Sequence, residues 1–226
     1  MQLSIDLTAR SRSDQSEAAA KRGRGGARKG AGRPRLPDSE SHRARPPVSP
    51  QVPQHLTLRM AEHVWNLRAE RCFGPIRRAI GAVQREGFRV VHYTVQGNHL
   101  HLVIEAQDRA ALVFGLRSLT VRVGRALNWV MQRRGRVLDG RPHVRALRTP
   151  TEVKNVLRYV LLNRSHHVPD APWLDECSTA PWFDDWAALE VSRPPSGPPP
   201  PERVDRPART WLLSVGYRRG RRARPR

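Results

Sequence analysis

Residues 88–104 constrain the fold more than any other part of the chain. Phe88 to Gln96 is rich in β-branched and aromatic residues, and Gly97-Asn98 joins it to His99-Leu100-His101-Leu102-Val103-Ile104-Glu105. Two such runs joined by two turn residues predict a β-hairpin closed by a type II′ or I′ turn. Side chains alternate between the faces of a strand, so His99 and His101 fall on one side, roughly 6.6 Å apart at about 3.3 Å per residue. Leu100, Leu102 and Ile104 then face a core on the other side. Two imidazoles on one face can converge on one ion.

The flanks of this hairpin differ in kind from its surroundings. Of the 226 residues, 41 are Lys or Arg against 20 Asp or Glu, a formal charge of +21 and far more than solubility requires. Such a balance points to a polyanionic partner. No apolar run of about 18 residues and no basic amphipathic helix suits a membrane, so nucleic acid is the expected partner. Residues 1–51 read as a disordered basic arm, because the stretch holding Arg22, Arg24, Arg28, Lys29, Arg33 and Arg35 contains no acid and little that could be buried. These six side chains are the candidate phosphate-tracking contacts, although a merely solvated tail has the same composition. Residues 169–226 form a Trp-, Pro- and Arg-rich extension expected to be flexible and to pack loosely. Cys72 and Cys177 make no disulfide framework, and residues 1–10 lack the apolar stretch of a secretion signal, so a reducing cytoplasmic setting is expected.

Residues 52–168 carry the periodicity of one folded domain. His55-Leu56-Thr57-Leu58-Arg59 alternates as a half-buried strand does. Phe73 to Glu86 carries apolar residues at helical spacing and should end before Gly87. Asp108 to Arg134 reads as a long helix whose buried stripe is Leu112, Leu116, Leu119, Val123, Leu127 and Val130. A strand over His143 to Leu147 follows the Asp139-Gly140 turn. Thr149-Pro150-Thr151-Glu152 is a capping-box helix start. In the helix it opens, Val153, Val156, Leu157, Val160 and Leu161 share one side, while Glu152, Asn155, Tyr159, Asn163 and His166 share the other.

This pattern suggests a metal site beside a tyrosine nucleophile. Two imidazoles with one oxygen donor, from Glu105 or from an amide on the Tyr159 helix, leave open positions on Mg²⁺ or Mn²⁺ for a phosphate oxygen. A phenol, with a pKa near 10, is a poor nucleophile at neutral pH and needs a polarised electrophile, which such an ion supplies. Each piece has a plainer reading: nine histidines make chance pairs common, and Tyr159 could be a half-buried helix tyrosine.

Taken in order, the strand His55-Leu56-Thr57-Leu58-Arg59, then Gly97-Asn98-His99-Leu100-His101-Leu102-Val103-Ile104, then Arg148-Thr149-Pro150-Thr151-Glu152-Val153, and finally Tyr159-Val160-Leu161-Leu162-Asn163 resemble the single-tyrosine HUH transposases, in particular the REP-associated tyrosine transposases. The resemblance covers residues 52–168. It implies an α+β, ferredoxin-like antiparallel sheet with packed helices. It also implies His99, His101 and Asn163 as metal ligands, Tyr159 as nucleophile, and single-stranded or hairpin DNA as partner of a bacterial, nucleoid-associated enzyme. The site would be built within one chain or shared across a homodimer. Where relatives often carry Asp-Arg-Tyr-His, this chain has Asp139-Gly140-Arg141-Pro142-His143. Two other functions fit the residues: a non-catalytic hairpin-binding protein descended from such an enzyme, and a metal-dependent phosphodiesterase that uses water.

Overall fold

The computed structural model describes residues 47–164, 174–195 and 202–220. Residues 1–46 of the basic arm, His166, the 168/169 boundary and the centre of the Pro-rich stretch lie outside the described residues.

The chain runs β1 (Gln54–Arg59), α1 (Glu70–Ala82), β2 (Phe88–Val95), β3 (His99–Ala106), α2 (Arg109–Val130), β4 (His143–Ala146) and α3 (Pro150–Leu161). Four antiparallel strands form one sheet in the order β2-β3-β1-β4. With its βαββαβ element order this is the ferredoxin-like topology, to which α3 is added.

Local chemistry accounts for most boundaries. Asp108 caps α2 by accepting from Ala111 N at 2.7 Å. Thr149 and Glu152 form the full capping box of α3, with Pro150 in its first turn. Helix α1 begins three residues before the predicted Phe73, because Ala69 O already accepts from Cys72 N and Phe73 N. It also stops at Ala82, short of Glu86, because Arg85 and Phe88 pair through their backbones around Glu86-Gly87, where Gly87 has φ +79°. The β2–β3 hairpin forms with Gln96 N donating to His99 O at 2.8 Å. Its turn is neither type I′ nor type II′, since neither Gly97 nor Asn98 has positive φ. The turn carbonyls are pinned instead by the chain leaving β1: Met60 N donates to Asn98 O and Leu67 N to Gly97 O.

The sheet divides two cores. On one face Leu56, Leu58, Leu100, Leu102 and Ile104 pack under α1 and α2, against residues such as Ile76, Ile80, Leu119 and Val123. On the other, Val103 and Val91 meet α3 through Val153, Val156, Leu157 and Val160. A register shift between Val90 and His92 turns both Val91 and His92 toward this second face. The second core is completed by Phe183, Trp186, Leu189, Leu212, Leu213 and Tyr217. The stretch after residue 169, expected to pack loosely, is therefore in its described parts an integral layer. The α3 surface would otherwise leave an apolar stripe in water, at roughly 1.5–3 kcal/mol for each large side chain.

Candidate active site

The face of the sheet turned toward α3 carries the polar parity of its strands. Thr57 on β1 and Thr94 on β2 flank His101 on β3, and His55 pairs with Val103 one step along. His101 is 6% exposed. Its Nδ1 lies 3.1 Å from Thr57 Oγ1, and its Nε2 lies 3.1 Å from Tyr159 Oη. The phenol ring stands edge-on to this imidazole, with centroids 4.9 Å apart and planes at 79°. Tyr159 itself is 38% exposed, so its hydroxyl sits where a buried imidazole meets solvent.

His99 lies next to His101, ring centroids 4.7 Å apart at 84°. Its Nδ1 is 2.7 Å from Asn98 Oδ1. An amide oxygen only accepts, so with that amide orientation Nδ1 carries the proton. His55 stacks on His101 from the other side, at 5.3 Å and 26°, and stands edge-on to Tyr159 at 6.3 Å. Burial, with Arg145 and His143 adding to it, pushes the His55 pKa down to about 4. His55 is thus a neutral ring at physiological pH and puts no positive charge beside His101.

Two sequence expectations change here. Glu105 is no ligand donor: it is 6% exposed, and its carboxylate accepts from Arg209 N at 3.0 Å and Thr210 N at 2.8 Å, with Arg89 Nε 3.7 Å away. Asn163 does not line the polar side of a continuous Tyr159 helix. Helix α3 ends at Leu161, Leu162 caps it with φ −108° and ψ 11°, and helical geometry resumes at Asn163. Asn163 is 0% exposed, and neither Oδ1 nor Nδ2 finds a hydrogen-bond partner among the described residues.

The donor types expected here, two imidazoles and an amide oxygen, are ones that a divalent ion accepts. Among the described residues no group of three or more His, Cys, Asp or Glu converges as metal ligands would, so any site on this face needs a donor of another type. A buried amide without a partner costs about 1–3 kcal/mol, and an ion accepting its oxygen would remove that cost. Hard ions such as Mg²⁺ and Mn²⁺ match the amide oxygen, and Mn²⁺ also suits the imidazoles.

His55 and Thr57 were missed as site residues. Their alternation with Leu56 and Leu58 marked them as the polar face of a strand, but only the β1–β3 register puts Thr57 opposite His101. The tyrosine and both histidines meet within one chain. Arg22, Arg24, Arg28, Lys29, Arg33 and Arg35 lie outside the described residues. Among the described residues no helix is long and apolar enough to cross a membrane.

No protein-family model matches the chain, and no curated protein matches it. Among solved structures, a REP-associated tyrosine transposase bound to a REP hairpin is similar, with a TM-score of 0.54 and 16% sequence identity. The match takes in 76% of this chain and 100% of that one. At this identity the likeness is one of fold.

Proposed function

We propose that the chain is a strand transferase that cleaves and rejoins single-stranded DNA through a phosphotyrosine intermediate. The observation that carries this reading is the approach of Tyr159 Oη to His101 Nε2, at 3.1 Å across a gap of 58 residues in sequence. A nucleophile held against a candidate ligand pair is the arrangement that phosphoryl transfer to a side chain requires.

In the reaction Tyr159 Oη bonds to phosphorus, the P–O3′ bond breaks, the phenol gives up its proton, and the departing oxygen takes one up as a 3′-hydroxyl. The phosphodiester energy stays in the tyrosine link. Attack by a 3′-hydroxyl then reverses the step and rejoins DNA without an external energy source. His99, His101 and Asn163 would hold Mg²⁺ or Mn²⁺, which when bound polarises the scissile phosphate and offsets the charge built up in the transition state. Tyr159 must first leave His101 Nε2, which frees that nitrogen as a ligand and the hydroxyl as a nucleophile. Thr57 holds the ring through Nδ1 meanwhile, and an oriented imidazole is a better ligand.

The solved neighbour carries a REP hairpin, and a hairpin-bearing strand is the substrate we assign by analogy of fold. The basic arm would add salt-sensitive affinity through Arg22, Arg24, Arg28, Lys29, Arg33 and Arg35. Work on chromosomal DNA would place the protein in the bacterial cytoplasm, at the nucleoid.

The test is a covalent adduct. Full-length protein with Mn²⁺ and a single-stranded hairpin oligonucleotide should give a protein–DNA band stable to denaturant. Tyr159→Phe should abolish that band while leaving DNA binding intact; an adduct that survives moves the nucleophile elsewhere. A second reading, a non-catalytic hairpin-binding protein, is favoured by the +21 charge and by the engagement of both His101 nitrogens. It predicts tight, salt-sensitive binding with no adduct and no metal dependence.

A further inference from the structure

Four residues beyond His101 on the same face of β3, about 13 Å away at 3.3 Å per residue, Glu105 marks a second and unrelated feature. Here the start of β2 and the segment after residue 202 border a cleft of about 620 Å³, lined by Arg85, Arg89, Arg206 and Arg209 together with Glu86 and Pro207. The segment is anchored by its backbone, with Arg206 N donating to Val90 O and with Arg209 N and Thr210 N donating to Glu105. The positions of Arg206 and Arg209 are thus set by main-chain bonds, while Arg89 reaches across the cleft to donate from Nη1 to Pro207 O at 3.2 Å.

The charges in this cleft do not balance. Arg89 is the deepest of the four, its side chain 14% exposed. Its nearest carboxylate, Glu105, stands 3.7 Å away and is already spent on two backbone amides. Burial, and then the Arg209 and Arg206 charges, push the Arg89 pKa down against the pull of Glu105. Arg206 and Arg209 are exposed, and the ion pairs among the described residues take in neither. Arg85 sits over Phe114, its Cζ 3.8 Å from the ring centroid, and donates from Nη2 to Ala111 O. A multiply charged anion seated among these guanidiniums would relieve their mutual repulsion.

An aromatic group adjoins the cationic wall. Trp211 borders the continuation of the cleft along Glu105 and Ala106, and it remains 50% exposed. One side of the indole rests on Gly216, where an added Cβ would come within 2.7 Å of Cζ3, so the ring is braced by backbone. The Arg219 guanidinium lies 5.8 Å from the ring centroid, and a basic groove beside a half-exposed aromatic ring is a combination that takes single strands, with phosphates on the cations and a base on the ring.

We infer that this cleft grips the backbone phosphates of single-stranded DNA, at a place distinct from the tyrosine centre. The inference rests on the DNA reading above for its ligand, and on the arginine cluster for its position. Binding of full-length protein to a labelled oligo(dT) is measured across a salt series, for the wild type and for Arg206→Gln/Arg209→Gln. Each single-strand phosphate contact contributes about 0.7 to the slope of log affinity against log salt, so the double variant should lose about 1.4. Arg117→Gln/Arg122→Gln, which removes the same charge from exposed positions further along α2, should change the slope by less than half as much. An equal change in both variants means diffuse attraction and overturns the site, as does an unchanged slope. Calorimetry with inorganic phosphate forms a separate arm: phosphate binding lost in Arg206→Gln/Arg209→Gln without a change in the oligonucleotide slope assigns the cleft to free phosphate and overturns the DNA assignment. Absence of the Tyr159 adduct in the wild type would sink the strand-transfer reading and leave the slope comparison standing.

Discussion

Asn163 is the residue at which stability and the proposed metal chemistry pull apart. Its carboxamide is wholly enclosed and its two polar atoms have no partner among the described residues. An apolar side chain of similar volume removes that desolvation cost, so Asn163→Leu should melt at the wild-type temperature or above it. Mn²⁺ affinity, read by calorimetry, should fall about tenfold or more if the amide oxygen is a ligand. A lower melting temperature with unchanged Mn²⁺ affinity would make Asn163 a packing residue. At this scale the sequence was informative about residue type and poor about partners. His99 and His101 announced themselves by spacing, whereas His55 and Thr57 needed a strand register, and the full burial of Asn163 needed the folded structure.

The elements meet most tightly where α2 crosses β2. A Cβ placed on Gly115 would lie 2.2 Å from Phe88 Cδ2, with the rest of that ring edge within 2.5 Å. Alanine improves helix propensity by about 1 kcal/mol, yet here it would drive the helix off the strand at a cost of about 1–3 kcal/mol. Gly115→Ala should therefore lower the denaturant midpoint, and Phe88→Leu in the same chain should restore part of it. Additive losses would show that the two positions do not share the contact. Signals local to an element were legible: the capping box at Thr149, the buried stripe of α2 and the β2–β3 hairpin all follow from residues within a few positions. The turn at Gly97-Asn98 was not, because its carbonyls answer to Met60 and Leu67, 38 and 30 residues upstream in the chain.

For the molecule as a whole, acidification tests how the second face of the sheet is closed. His92, bonded through Nδ1 to Thr179 and packed on Phe183, has its pKa pushed down to about 4 by burial and then by Arg203. His55 is lowered to about the same value. In the unfolded chain both take up a proton near pH 6.5, while the folded protein does not until about pH 4. The unfolded state therefore binds more protons in that window, and stability should fall as pH drops from about 6.5 to about 4. The slope is at most about 1.4 kcal/mol per pH unit for each histidine. Denaturant unfolding at several pH values measures it, and His92→Gln should make the profile shallower. A flat profile between pH 7 and 4.5 would mean that these rings are hydrated.

The amino-acid sequence alone determined the α+β alternation, the extents of most helices and strands to within a few residues, the pairing of the two histidines on one face, and the cationic character of the whole. Those properties depend on neighbours along the chain and on counts of charge, which a sequence states directly. Tertiary structure alone decided that Tyr159 reaches His101, that Thr57 and His55 join them, that Glu105 serves the segment after residue 202, and that this segment closes the second core. Each is a contact between elements tens of residues apart, set by strand order, register and the phase at which a helix stops, and a periodic pattern carries no record of these.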